Sequence, residues 1–182
     1  GYAVECADNQ TQPIKVSLPE TADEAAVAEL LTAQGRLEFI DPQGQFLPAG
    51  LAVCTTASPL PPAERPDADC STIYTTIAED GEFLRDEFKL TADQAGQPAM
   101  SFKLNEAGGA RLEEFTENNL QRPMAILVDQ LVISAPQING TLPGEGIITF
   151  GAQTRAAQEA EAKELLAKMK GDPLPMAWRL SE

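Results

Sequence analysis

Histidine is absent from the whole chain. Its absence removes the usual general base, the usual proton shuttle and the commonest metal ligand together. Cysteine is scarce. Cys6, Cys54 and Cys70 show no C-x-x-C spacing and have no imidazole to complete a tetrahedral site, which argues against structural zinc and excludes a Cys–His nucleophile. Basic residues are few: 13 Lys and Arg stand against 28 Asp and Glu, for a net charge of −15 and a pI of about 4.3. A surface of that sign repels phosphate backbones and anionic headgroups, so nucleic acid and polybasic-type membrane contacts are not expected. Solubility is the plainest reading of the acidity. Long apolar runs are missing too. The longest is Met124–Val128, whereas a membrane-spanning helix needs about 20 such residues. Residue 1 is Gly rather than Met and no charged-then-apolar leader is present, so the chain reads as a processed or trimmed protein whose anchor, if any, lies outside it.

What is present is enough for a core, with 43% hydrophobic residues, and for many turns, with 14 Pro and 13 Gly in 182 residues. Pro13–Pro19 alternates apolar and polar residues as a half-buried strand does. Thr21-Ala22-Asp23-Glu24 forms a capping box ahead of Val27, Leu30 and Leu31 at helical spacing, and Gly35 stands where the helix should end. Arg36–Ile40 alternates again and is expected to close a β-α-β unit. From Asp41 to Asp69 the sequence reads as loop, with five prolines from Pro48 to Pro66. Ser71–Ile77 is β-branched and reads as a strand; Glu82–Leu90 fits either a helical turn or a strand.

Pro98–Leu104 alternates as a strand. Asn105 and Glu106 open a helix whose apolar face includes Leu112, Phe115 and Leu120, although Gly108-Gly109 weakens it by roughly 1–2 kcal/mol relative to alanines. Met124–Val128 and Leu131–Ala135 are strands joined by the two-residue turn Asp129-Gln130. Gly146–Phe150 is a further strand. A last helix follows Thr154, with Ala162, Leu165, Leu166 and Met169 inward and Gly171 and Pro173 as its stop. A final strand, Leu174–Leu180, carries the single tryptophan, Trp178. Hairpin and helices are mixed, so the class is α+β.

Few residues invite a chemical reading. Glu113, Glu114 and Glu117 fall on the solvent side of their helix, without a second carboxylate motif. Ser134 lacks the G-x-S-x-G frame and any base. Gly140–Gly146 has no lysine and no phosphate-loop spacing. Asn139-Gly140-Thr141 matches the glycosylation sequon, which has meaning only in a eukaryotic secretory setting. Cys54 and Cys70 bracket the proline-rich loop and are either two buried thiols or a bridge; closing about 16 residues would stabilise by roughly 3 kcal/mol. Cys6 is then left odd, and Val4-Glu5 before it is not a lipobox.

Taken together the pieces resemble a known family. "IKVSLPE", the capped helix and "GRLEFID" resemble the segment by which SecD proteins enter their first large periplasmic domain. "GQPAMSFKLNEAGGARLEEFTENNLQRPMAILVDQLVISAPQI" is similar to the signature that follows, a helix ending in F-T-x-x-N and a hairpin of the form M-A-I-x-x-D-x-x-V-I-S-A-P. "GEGIITF" and "KGDPLPMAW" resemble the family's I-T-G strand and its G-x-L-P-x-P exit. Gln130 stands where the family hairpin usually has glycine, Phe150 likewise, and the proton-coupling membrane half has no counterpart here.

The resemblance implies a two-lobed α+β domain: a ferredoxin-like βαβ base formed by residues 10–50 and 172–182, and an inserted head, residues 51–171, with a hinge at Gly50 and Gly171. It implies that strands Ile14–Leu18, Leu37–Ile40 and Leu174–Leu180 share one sheet. Pro98–Leu104 and the hairpin should share another, with Phe102 and Phe115 in its core. By the same resemblance the chain is extracytoplasmic and non-catalytic, uses no cofactor, and binds or guides unfolded, exported polypeptide beside Sec translocase components, touching the membrane only through segments outside it. The alternative is a stand-alone secreted or lipid-anchored binding protein that keeps the fold without the export role.

Overall fold

The computed structural model describes residues 2–6, 14–16, 35–59, 68, 70–170 and 178–181. The chain divides into two compact units, Gly1–Gly35 with Asp172–Glu182, and Arg36–Gly171.

In the smaller unit, strands β1 (Tyr2–Cys6), β2 (Ile14–Val16) and β11 (Trp178–Ser181) form an antiparallel sheet in the order β11-β1-β2. Val4 lies opposite both Ile14 and Leu180. The first and last predicted strands therefore do share a sheet, but through β1, which the sequence reading passed over. The capped helix after Thr21, the exit segment and Gly171 lie outside the described residues.

The third strand expected in that sheet belongs elsewhere. β3 (Leu37–Asp41) pairs antiparallel with β5 (Ile73–Ala78) and β8 (Ala125–Val128) in the larger unit, within a five-stranded sheet completed by β4 (Cys54–Thr55) and β9 (Leu131–Ser134) in the order β4-β5-β3-β8-β9. The alternation of β3 predicts a half-buried strand. In fact Leu37, Glu38, Phe39 and Ile40 are all buried, as a central strand covered on both faces requires. β3 is thus not the return strand of a βαβ base, and the larger unit begins at Arg36 rather than at residue 51. Gly50, named above as a hinge, lies inside that unit, and its N–H donates to the Val132 carbonyl at 2.8 Å.

A second sheet of the larger unit is three-stranded, in the order β10-β7-β6: β6 (Lys89–Ala92), β7 (Pro98–Lys103) and β10 (Glu145–Thr149), all antiparallel. The hairpin β8–β9 and β7 therefore lie in separate sheets, not in one. They meet through side chains: Leu37, Phe39 and Ile126 pack with Met100, Phe102 and Ile148 in one apolar cluster. Phe39 sits edge-on to Phe83 and Phe102, at 5.0 and 4.9 Å between ring centres. Phe102 is buried at the centre and Phe115 packs, partly buried, at the margin.

Helix α1 (Glu106–Asn118) is capped by Asn105, whose side chain accepts from the Gly108 N–H at 2.9 Å. Leu120 falls beyond its end and is exposed. The pair Gly108-Gly109 has a steric cause. A Cβ on Gly108 would meet the Glu82 side chain at 3.0 Å, and Gly109 backs onto Gly144, where a Cβ would lie 2.7 Å from the Gly109 Cα. At this crossing helix and loop meet backbone to backbone. Helix α2 (Arg155–Lys170) turns Ala162, Leu165 and Met169 into the core. The segment Glu82–Leu90 resolves into two single 3-10 turns, Asp80–Glu82 and Arg85–Glu87, leading into β6.

Candidate groove on the three-stranded sheet

On β7, Met100 and Phe102 point inward, so Ser101 and Lys103 face out, as strand periodicity demands. Register then sets their neighbours. Ser101 lies opposite Ile147 on β10 and Lys89 on β6, and Lys103 lies opposite Glu145. A groove of about 410 Å³ opens there, lined by Glu87, Lys89, Ser101, Lys103, Glu145 and Ile147. Gly146 lets β10 run close over Phe102, for a Cβ there would meet the phenyl ring at 3.0 Å.

Two ion pairs flank this face, Lys89 with Glu87 at 3.0 Å and Lys103 with Glu145 at 3.8 Å. The hydrogen bond from Lys89, and then its charge, hold the Glu87 carboxyl below its ordinary pKa. Ser101 Oγ donates to the carbonyl of Lys89 at 3.3 Å. Ile147, 45% exposed, supplies apolar contact area on this face, whereas Leu90 lies opposite Met100 and turns to the other side of the sheet. β6 and β10 are the edges of their sheet. The arrangement can pair backbone and cover apolar side chains; it holds no nucleophile–base pair.

The other residues singled out in the sequence do not converge on this groove. Glu113, Glu114 and Glu117 are exposed on α1. Among the described residues no group of three or more His, Cys, Asp or Glu could hold a metal, and no helix is long and apolar enough to cross a membrane. Cys54 and Cys70 stand 5.3 Å apart at Cα, a separation that a disulfide spans.

Beside that cysteine pair lies a cluster with no motif in the sequence. The carboxyl group of Glu38, 1% exposed, accepts from Thr55 Oγ1 at 2.6 Å, Ser58 Oγ at 2.9 Å and Thr76 Oγ1 at 3.4 Å. Three hydroxyls satisfy a buried acid with no cation among them. The only hint in the sequence is the Ser/Thr enrichment of residues 55–58 and 71–76. The F-T-x-x-N residues also act within the fold. Thr116 Oγ1 donates to the Leu112 carbonyl at 2.8 Å and accepts from Leu142 N–H at 2.9 Å, and Asn119 Nδ2 donates to the Phe115 carbonyl at 2.9 Å.

The family model described as the SecDF P1 head subdomain matches residues 63–176. The protein translocase subunit SecD of Acidaminococcus fermentans is 31% identical over 117 residues, 64% of this chain and 25% of that protein. That of Rhodobacter capsulatus is 29% identical over 149 residues, 76% of this chain and 25% of that protein. The chain thus spans about a quarter of the length of these curated relatives. Among solved structures, one described as "Structure and function of a membrane component SecDF that enhances protein export" is similar with a TM-score of 0.58 at 20% identity, over 93% of this chain and 77% of that one. A second, SecDF in a "Super-membrane-facing form", gives 0.54 at 19% identity over 90% of this chain and 22% of that one. At those identities the likeness is one of fold, and it agrees with the α+β architecture described here. The family match covers more than half of the residues and most of the larger unit, and on it the chain belongs to the SecDF P1 head subdomain family.

Proposed function

We propose that this chain acts on the outer side of a membrane during protein export, where it holds extended segments of the exported polypeptide without catalysing a reaction. The observation that carries this reading is the open three-stranded sheet, whose outer face presents Ile147, Ser101 and two ion pairs around a groove of about 410 Å³ between two edge strands. An extended chain can add to such an edge by main-chain hydrogen bonds, which suit any sequence, and lay alternate side chains onto the face. Mixed charges flanking a shallow apolar strip select weakly, as a protein that handles many substrates needs. The non-catalytic part of the reading rests on the lack of histidine and of any nucleophile–base frame.

The test is backbone NMR of the labelled chain titrated with a permanently unfolded polypeptide. Shifts should concentrate at Lys89–Ala92, Ser101–Lys103 and Glu145–Thr149, and Ile147→Glu should weaken them. Shifts confined to the exposed face of α1, or none, would overturn the proposal.

A further inference from the structure

The larger unit begins at Arg36 and ends at Gly171, and one ion pair reaches both of its ends. Asp80 and Arg85, with side chains 11% and 18% exposed, form an ion pair in which Arg85 Nη2 donates to both carboxylate oxygens, at 2.6 and 2.7 Å. The same Asp80 Oδ1 accepts from the Leu37 N–H at 3.2 Å, at the first residue of β3. Arg85 Nη1 donates to the Met169 carbonyl at 2.9 Å, in the last turn of α2. Asp129 holds the preceding residue from the other side: its Oδ1 accepts from Arg36 N–H at 3.0 Å and its own N–H donates to the Arg36 carbonyl at 2.9 Å.

We propose that Asp80 and Arg85 form a clasp that keeps the two chain ends of this unit together, so that a pull on either end is passed to the core instead of peeling α2 from the sheet. Polarity supports this. The start of β3 offers an N–H and needs an acceptor, whereas the end of a helix offers orphan carbonyls and needs a donor. A carboxylate facing the first and a guanidinium facing the second meet both needs, and their mutual pairing ties the two ends into one element. Partly buried placement shields that pairing from water and salt. The clasp lies wholly within the larger unit and does not depend on what the groove binds.

Amide hydrogen exchange on the full chain tests it. Arg85→Met should speed exchange by about tenfold at Lys168–Lys170 and also at Leu37–Glu38, the loss expected of one charge-assisted hydrogen bond. Asp80→Asn, which keeps its size, should speed both segments as well, while Ile126 and Leu127 stay protected. Acceleration confined to the segment each side chain touches would overturn the clasp. The exchanged pair Asp80→Arg/Arg85→Asp supplies a second arm. It restores opposite charges but sets donor against donor at Leu37 and acceptor against acceptor at Met169. Exchange should remain fast, and recovery of protection would reduce the pair to an ordinary ion pair and defeat the proposal.

Discussion

The side-chain amide of Gln130 donates to the Ser58 carbonyl at 3.1 Å. A second bond reaches the Val53 carbonyl at 3.3 Å, and the Gln130 carbonyl accepts from the Val53 N–H at 3.0 Å. The tip of the β8–β9 hairpin is thereby fastened to the segment around Cys54. Asp129 and Gln130 have φ of 49° and 65°, the left-handed pair of a tight hairpin turn, where glycine would be the easier residue. The side chain compensates for the strained backbone.

Replacing Gln130 with glycine sets two effects against each other. Relief of left-handed strain gains roughly 1–2 kcal/mol, less about 0.5–1 for the freedom glycine loses on folding. Loss of two hydrogen bonds costs roughly 1–3 kcal/mol. The net is a loss of about 1 kcal/mol, measurable by urea denaturation. A more stable variant would show that the side-chain bonds contribute nothing.

Gly144→Ala should destabilise the larger unit by about 3 kcal/mol, since its φ of 85° is unfavourable for alanine and the new methyl would collide with Gly109. Gly140→Ala is the control. Nothing lies within 4 Å of a Cβ there, and the change should fall within about 0.5 kcal/mol. Equal effects at the two positions would contradict the close approach.

When the protein is made under oxidising conditions, Cys54 and Cys70 should be bridged. Thiol titration of the denatured, unreduced chain should then find one sulfhydryl, that of Cys6, and reduction should lower stability by roughly 3 kcal/mol. Three titratable thiols would refute the bridge.

The Glu87 carboxyl should titrate below its ordinary value, followed by its side-chain NMR signal, and return to it in Lys89→Met. Because the folded value is depressed, whatever stability the pair lends is present above the ordinary carboxylate range. It disappears as pH falls through the lowered value. An unchanged titration in Lys89→Met would mean that Lys89 is not the cause.

Local signals carried the sequence reading where they sufficed. Pro98–Lys103, the Asn105 cap, the hairpin and the last helix were legible because alternation, caps and stops lie within a few residues of one another. β3 was legible as a strand but not in its sheet. Its placement depends on hydroxyls at Thr55, Ser58 and Thr76 that make Glu38 fit for burial, and no local pattern announces them. β1 is short, and its run Tyr2-Ala3-Val4-Glu5-Cys6 shows no clean alternation of apolar and polar residues. The groove had no signature at all, since Lys89, Ser101 and Ile147 become neighbours only through the register of three separated strands. Gln130 departs from the family pattern in the sequence itself, yet its compensation lies in a loop more than seventy positions away.

The bare crossing of Gly109 and Gly144 bears on how this domain can be recombined. A Cβ on either glycine would meet the Cα of the other, at 2.7 Å from Gly144 and 3.3 Å from Gly109, so the spacing of helix and loop is set by the two backbones together. A chimera that takes residues 106–118 from one relative and 142–146 from another brings two independently drifted surfaces into contact with no flexible side chain to absorb a mismatch. Crossovers placed between residues 119 and 141 would separate the partners and fail more often than crossovers outside residues 105–146, which keep them together.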